Sequence, residues 1–287
     1  MKSDAIRKSL YDIKPMDLSS QELEQISALF VRSGSGMNGG VEFLNWQYNQ
    51  HPAGQAIGYN AYFDGLLIAH YAAIPLRAKV FGEAVFGYLS INTRTDPEHQ
   101  GQGLFTRLAE STYTDIVKIG GEFVVGVANK NSVHGFTKNL GFQHVGLLET
   151  RFVLGSPSKV KCDLDFESIW DSQTVAWRLD NPTKSYKHRK KGDRALIYGA
   201  SRRFLSLIGD VPYESLPNGL ETLGGFSFMP KLWLGVAEGM SWRGALYAVV
   251  PSKLQPVQLN LIYRDLKGTR SLDPALVKFF AMDFDAY

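Results

Sequence analysis

The sequence predicts an α/β (α+β) protein, with a mixed, mostly antiparallel sheet flanked by helices and a second block of similar organisation after it. Three observations predict this. Two short helical patterns precede a run of three strand-like segments joined by tight turns, strand and helix then alternate twice, and the order of elements recurs beyond residue 156.

Leu10 to Met16 reads as a short strand. Ser19 and Glu22 have the spacing of a capping box, and Leu23, Ile26, Leu29 and Phe30 then share one face of a helix running to about Val31. The Gly/Ser-rich segment Ser33 to Gly40 breaks it, and Val41 to Asn49 forms a second short helix ending before His51-Pro52. From Gln55 the pattern changes to AIGYNAYF, an Asp64-Gly65 hairpin turn, LLIAHYAAIPL and AVFGYLSINTRT, an antiparallel meander. A turn HQGQG follows, then a helix from about Leu104 to Ile119, ended by Gly120-Gly121. FVVGV is a buried strand, Ser132 to Leu140 a helix, and Phe142 to Leu154 a further strand.

Length and composition narrow the classes. At about 100–200 residues per domain, 287 residues make one large or two small domains, and 44% hydrophobic with 21% charged residues excludes a disordered chain. Thirty-one Lys+Arg against 28 Asp+Glu leaves +3, which gives no support for a nucleic-acid partner. The single Cys162 cannot close an intrachain disulfide and has no thiolate neighbour for a metal, so a reducing, cytoplasmic compartment and no metal are expected. The opening MKSDAIRKSLYDIK lacks the apolar stretch of a secretory signal, and no run approaches the ~18–20 apolar residues of a spanning helix, so no membrane partner is expected.

The comparison that bears on domains is internal. Trp46-Gln47-Tyr48 leads to His51-Pro52, a strand, the Asp64-Gly65 turn and LLIAHYAA; Trp177-Arg178-Leu179 leads to Asn181-Pro182, SYKHRKK, a Gly192-Asp193 turn and ALIYGAS. The expected domains are residues 1–155 and 156–287, the second a degenerate copy. After RFLSLIGDV the copy reads PYESLPNGLETLGG, which lacks the glycine pattern of HQGQG. An unrelated α+β domain is the alternative.

The chemistry concentrates between Ser90 and Phe142. A strand delivers the chain to Thr95-Asp96-Pro97, glycines follow at 101 and 103, and a helix opens at once. Backbone N–H groups of Gln100 to Phe105 thus converge at a helix N-terminus, where free donors and the positive dipole end favour a phosphate. No Gly-Lys-Ser/Thr follows, which excludes a Walker loop, and the preceding meander excludes a dinucleotide fingerprint.

With these residues the chain resembles, over about residues 10–154, the GNAT superfamily of acyl-coenzyme A-dependent N-acyltransferases. Gln100-Gly101-Gln102-Gly103-Leu104-Phe105 matches that family's pyrophosphate motif at Gln100 and Gly103 and departs from it at Phe105. Asn129-Lys130-Asn131-Ser132-Val133-His134-Gly135-Phe136, followed by Leu140-Gly141-Phe142, is similar to its second motif. The resemblance implies acetyl-coenzyme A as co-substrate, a small-molecule amine as acceptor, and direct transfer without a covalent enzyme intermediate. It places the pyrophosphate on Gln100 to Phe105, the pantetheine arm against the backbone of Thr93, Arg94 and Thr95, and Asn129 and Ser132 on the arm's other side. Many members carry a tyrosine at the position of Phe136, and a phenyl ring has no proton to give a departing thiolate.

Candidates for a base are His70, His134, and Asn92 with Ser90 as holders of a relay water; His70 also reads as a hydrogen-bonded core residue and His134 as an exposed one. Trp46 and Tyr48 lie where early helices wall the acceptor, or form core. Lys184 to Lys191 reads as a solvated hairpin edge, and Asp283 and Asp285 read as surface. The wording of the motifs is similar to GNAT-like proteins of bacterial surface polysaccharide synthesis, which points to an amino sugar. Two rivals remain: a coenzyme A-binding module without chemistry, and a structural or partner protein with a closed cleft. Oligomeric state is left open.

Overall fold

The computed structural model describes residues 10–34, 39–160, 162–201, 204–224, 230–255 and 257–285. The first nine residues and the middle of the Gly/Ser-rich breaker lie outside them. The elements are, in order, β1 (Asp12–Pro15), α1 (Ser20–Arg32), α2 (Gly40–Asn49), β2 (Ile57–Phe63), β3 (Leu66–Val80), β4 (Glu83–Thr95), α3 (Leu104–Lys118), β5 (Phe123–Asn129), β6 (Gln143–Leu147), β7 (Glu149–Gly155), β8 (Ser158–Lys159) and β9 (Phe166–Ser168). They continue with α4 (Ser172–Leu179), β10 (Tyr186–Lys191), β11 (Arg194–Ser201), β12 (Phe204–Pro212), β13 (Lys231–Gly235), β14 (Met240–Ser241), β15 (Ala245–Val249), β16 (Leu259–Asp265) and β17 (Val277–Lys278).

Local chemistry explains the starts and turns. The Ser19 side chain accepts from the Glu22 N–H at 3.2 Å, while the Glu22 carboxylate accepts from the N–H groups of Asp17 and Leu18 and from the Tyr62 hydroxyl, tying α1 to β2. Asp64 and Gly65 both take positive φ, the backbone a two-residue hairpin needs. The helix expected over Ser132 to Leu140 is instead a short turn that widens into π-helix at Gly135–Asn139.

Two large sheets form beside a two-stranded pair of β8 and β14, and neither large sheet is built from one half of the sequence. The larger follows the order β1-β2-β3-β4-β5-β16-β6, with β9 on the far end of β3 and β17 beside β9. The smaller runs β10-β11-β12-β13-β7-β15. The single strand expected over Phe142 to Leu154 divides at buried Leu148, with β6 in the first sheet and β7 in the second. β16 makes the opposite crossing and lies between β5 and β6. A cut after residue 155 therefore separates strands that are hydrogen-bonded to one another.

The strand senses agree in the two sheets. From β2 to β6 the neighbours are antiparallel, antiparallel, parallel, antiparallel and antiparallel, and from β10 to β15 they run the same way. In each sheet the fifth of these six strands comes from the other half. The helices differ: α4 matches α2 in place, but no α-helix occurs among the described residues between β12 and β13, where α3 stands in the first sheet.

The indoles of Trp46 and Trp177 stack at 4.8 Å between centroids and 12° between planes. Each indole N–H donates to the other residue's carbonyl, at 3.0 and 3.1 Å. The loops that follow also correspond: the Ala53 N–H donates to His51 Nδ1 and the Thr183 N–H to Asn181 Oδ1, each across a proline. Trp46 thus reads as core and does not wall an acceptor. Arg178 lies over the Trp177 ring at 4.5 Å and is 3% exposed, so the Asp285 carboxylate, 3.6 Å away, is needed beside it. Asp285 also meets Lys184 and Asn181, and Asp283 accepts from the Phe280 N–H. Neither acid is the surface residue expected from sequence, because each closes a buried donor set. The lysine-rich run is the edge strand β10, with Tyr186 and His188 turned inward.

Apolar side chains fill both faces of the first sheet. Leu23, Ile26, Leu29, Leu44 and Trp46 pack one face together with Trp177 and Phe279, and Leu104, Leu108, Tyr113 and Ile116 of α3 pack the other. Trp177→Ala removes the stack, a buried hydrogen bond and the support of Arg178. It is expected to cost about 3–5 kcal/mol, read as a shift of the urea midpoint of one cooperative transition; a change under about 1 kcal/mol would refute the pairing as the tie between halves.

Candidate active site

β4 is paired on one side along its whole length and on the other only in part. It runs parallel to β5 through Tyr88, Leu89 and Ser90, opposite Val124, Val125 and Gly126, and then the two strands part. On its β3 side a bulge lies between His70 and Ala72, and Asn92 takes φ 50°. The bulge turns neighbouring side chains to opposite faces. The Ser90 hydroxyl accepts from Tyr71, which shares a 2.6 Å hydrogen bond with Tyr113 of α3. Asn92, two residues on, reaches Gln47 and Tyr48 of α2. Ser90 and Asn92 therefore do not hold one water between them; strict alternation would have put them on one face, and the bulge breaks it.

Beyond the parting, β4 ends in a braced turn. The Arg32 side chain donates to Asp96 Oδ2 at 3.0 Å and to the Leu67 carbonyl at 2.7 Å, and Asp96 Oδ1 accepts from the Glu98 N–H. Gly101 and Gly103 follow with φ 73° and 69°, and a Cβ at either would meet nothing within 4 Å. The glycines are thus required by left-handed backbone, and the space over the turn is open. α3 starts at Leu104, and its first free N–H groups face away from the helix at its positive end. The Gln100 side chain returns to the Thr95 carbonyl at 3.4 Å.

A parallel strand pair thus opens at a bulge and is followed by a glycine turn into a helix. A family model described as an acetyltransferase (GNAT) domain matches residues 17–145. Over residues 17–145 the chain is similar to a GNAT acetyltransferase domain. The fold as a whole is similar to a protein of Enterococcus faecalis V583 named a probable N-acyltransferase (TM-score 0.57, 12% identity, 90% of this chain and 73% of that one). It is similar also to Eis1 of Mycobacterium abscessus (0.56, 15%, 89% and 74%) and to a GCN5-related N-acetyltransferase of Anabaena variabilis (0.56, 12%, 89% and 73%). At these identities the likeness is one of fold. No curated protein matches the chain in sequence.

The two positions at which the chain departs from the GNAT pattern touch each other. Phe105 and Phe136 meet edge to face at 4.9 Å, Phe136 meets Phe142 at 5.1 Å, and a Cβ on Gly135 would come within 3.0 Å of the Phe105 ring. The larger side chain on α3 is thus matched by a glycine and an apolar ring opposite. Asn129 and Ser132, expected along the pantetheine arm, make a local turn: Asn129 Oδ1 accepts from the N–H groups of Asn131 and Ser132. His134 is exposed, and among the described residues no hydrogen bond or ring contact joins it to His70.

On the α2 face lies a network that the sequence signalled only in parts. Tyr48 hydroxyl and His70 Nε2 are 2.9 Å apart, His70 Nδ1 and Asn60 Oδ1 2.7 Å, and Asn92 Nδ2 is 2.9 Å from the Tyr48 hydroxyl and 2.6 Å from Gln47 Oε1. Burial pushes His70 down to about 3 and holds the Tyr48 phenol well above its usual range. His70 is therefore neutral at physiological pH, and its two ring nitrogens are both engaged within the network, so it is a weak proton acceptor as it stands. Gln47 and Asn60 were missed because a single amide on a helix or strand carries no sequence signal. Among the described residues no group of three or more His, Cys, Asp or Glu could hold a metal ion, and no helix is long and apolar enough to cross a membrane.

The depressed value has a pH consequence. In the unfolded chain His70 takes its proton near 6.5, and in the folded chain only near 3, so its contribution to stability is complete above about pH 6.5 and is lost as pH falls toward 3. His70→Gln is expected to flatten the acid decline of the urea midpoint between pH 6 and 4, by up to about 1.4 kcal/mol per pH unit; buried His51, lowered to about 4, supplies a similar slope in both proteins. An unchanged slope would show that His70 is not neutral in the fold.

Proposed function

We propose that this protein is an N-acyltransferase that moves an acyl group, most simply acetyl, from coenzyme A to a primary amine in a ternary complex. The observation that carries the reading is the opening of β4 and β5 after Ser90, with β4 ending in a glycine turn that leads into the N-terminus of α3. The residues present fit the co-substrate. Gln100 to Phe105 would hold its pyrophosphate, and the β5-side backbone of Thr93 to Thr95 would pair with the amides of its pantetheine arm as an added strand does. When bound it supplies an activated acyl thioester. The chain's own residues would supply position: the wedge between the strands would bring the acyl group toward the α2 face, where Tyr48, His70, Asn60, Gln47 and Asn92 are already hydrogen-bonded to one another. The acceptor we favour is an amino sugar, on the similarity of motif wording, and the second half of the chain is a GNAT-like copy that helps form the acceptor site.

Phe136 favours a second reading, since its ring is buried among Phe105 and Phe142 and offers no proton. In that reading the domain binds coenzyme A and performs no chemistry.

Thermal shift and thiol release separate these. An enzyme stabilises with acetyl-coenzyme A and releases thiol when glucosamine, lysine, spermidine or an aminoglycoside is added; a shift with no release across the panel favours the binding module, and no shift overturns the site. Gly103→Ala forces a left-handed alanine costing about 1–2 kcal/mol, and because the added Cβ meets open space the expected result is about tenfold weaker acetyl-coenzyme A binding with little loss of folded protein.

A further inference from the structure

The hydrogen bonds of the α2 face run in one direction. A neutral imidazole carries one N–H. His70 gives it from Nδ1 to Asn60 Oδ1, so Nε2 is an acceptor and takes the hydrogen of Tyr48. A phenol has one hydrogen, so toward Asn92 the Tyr48 oxygen can only accept, and it does so from Nδ2. The second amide hydrogen of Asn92 goes to Gln47 Oε1. Both donors of Asn92 are then consumed, and its carbonyl oxygen accepts no hydrogen bond from any described residue.

Resting on the acyltransferase reading above, we infer that Asn92 Oδ1 receives an N–H of the acceptor amine, and that Tyr48, Gln47 and His70 are positioning residues that keep this oxygen, and not the amide nitrogen, turned to the cleft. Asn92 stands where β4 leaves β5, on the face opposite α3. An amine held there by one N–H has its lone pair free to point at the acyl carbon. It attacks that carbon, the C–S bond breaks, the thiolate leaves with the electron pair, and the ammonium nitrogen loses its proton to solvent. A neutral oxygen also gives no charge preference for the ammonium form, which lacks a lone pair. The site accordingly selects a neutral primary or secondary amine over a tertiary one, which has no N–H.

The test has two arms. In 15N NMR of the resting wild-type protein, His70 is expected as the Nδ1–H tautomer with Nε2 unprotonated; the reverse tautomer turns the whole chain round and overturns the inference, with or without activity. In the thiol assay, using whichever amine of the panel turns over fastest, Asn92→Asp places a negative charge against the amine and is expected to raise the pH midpoint of kcat by about one unit. Tyr48→Phe is expected to raise KM for the amine about tenfold while KM for acetyl-coenzyme A stays within twofold. An unmoved pH midpoint in Asn92→Asp, or equal effects on both KM values in Tyr48→Phe, overturns the role of Asn92. Absence of thiol release from wild type with every amine overturns the transferase reading itself, a result the tautomer spectrum cannot mimic.

Discussion

The structure depends on an exchange of strands. Each sheet has a parallel pair in its middle, and the strand that must cover the open edge of that pair comes from the other half of the chain: β16 beside β5, β7 beside β13. A sheet left without it would expose unpaired N–H and C=O groups against an apolar core, a loss that no side chain nearby could offset. The stacked indoles of Trp46 and Trp177 mark the centre of this exchange, because two helices in matching positions can present the same residue to each other only across an approximate twofold axis. Each half therefore completes a ladder of the other, and the first sheet includes a strand from beyond residue 155.

Within the first sheet, one irregular residue organises the chemistry. Asn92 at positive φ lets β4 keep its pairing with β3 while it leaves β5. The same irregularity sends Ser90 to the α3 face and Asn92 to the α2 face, so the wedge is polar on both sides and yet its lining is held from two independent directions. Behind Ser90 stand Tyr71 and Tyr113; behind Asn92 stand Tyr48, His70 and Asn60. Buried networks of this kind are costly when incomplete, and here each is anchored on a helix and a central strand.

The GNAT departures at Phe105 and Phe136 are a packing pair and not two separate losses. A ring at 105 needs room, Gly135 provides it, and an apolar partner at 136 completes the contact. A hydroxyl at 136 would be placed in an aromatic cluster with Phe142 and Tyr113.

Local pattern was legible wherever chemistry acts within a few residues. The capping of α1 by Ser19, the Asp64-Gly65 hairpin, the glycine turn into α3 and the recurrence of Trp before a proline and a turn could all be read directly, because each depends on backbone conformations that few residues adopt. The likeness to a GNAT domain was legible for the same reason, since the two motifs that carry it are short and ordered. Sequence could not tell that the stretch from Phe142 to Leu154 serves two sheets, that Asp283 is buried and the Asp285 carboxylate closed in beside Arg178, or that Gln47 and Asn60 join His70 in one network. Those outcomes are decided by which edges are left open and which charges are left unpaired once the layers meet. By itself the sequence determined the elements and the glycine turn into α3, since these are local; only the tertiary structure decided strand partnership and the direction of the hydrogen bonds at Asn92, since both depend on groups far apart along the chain.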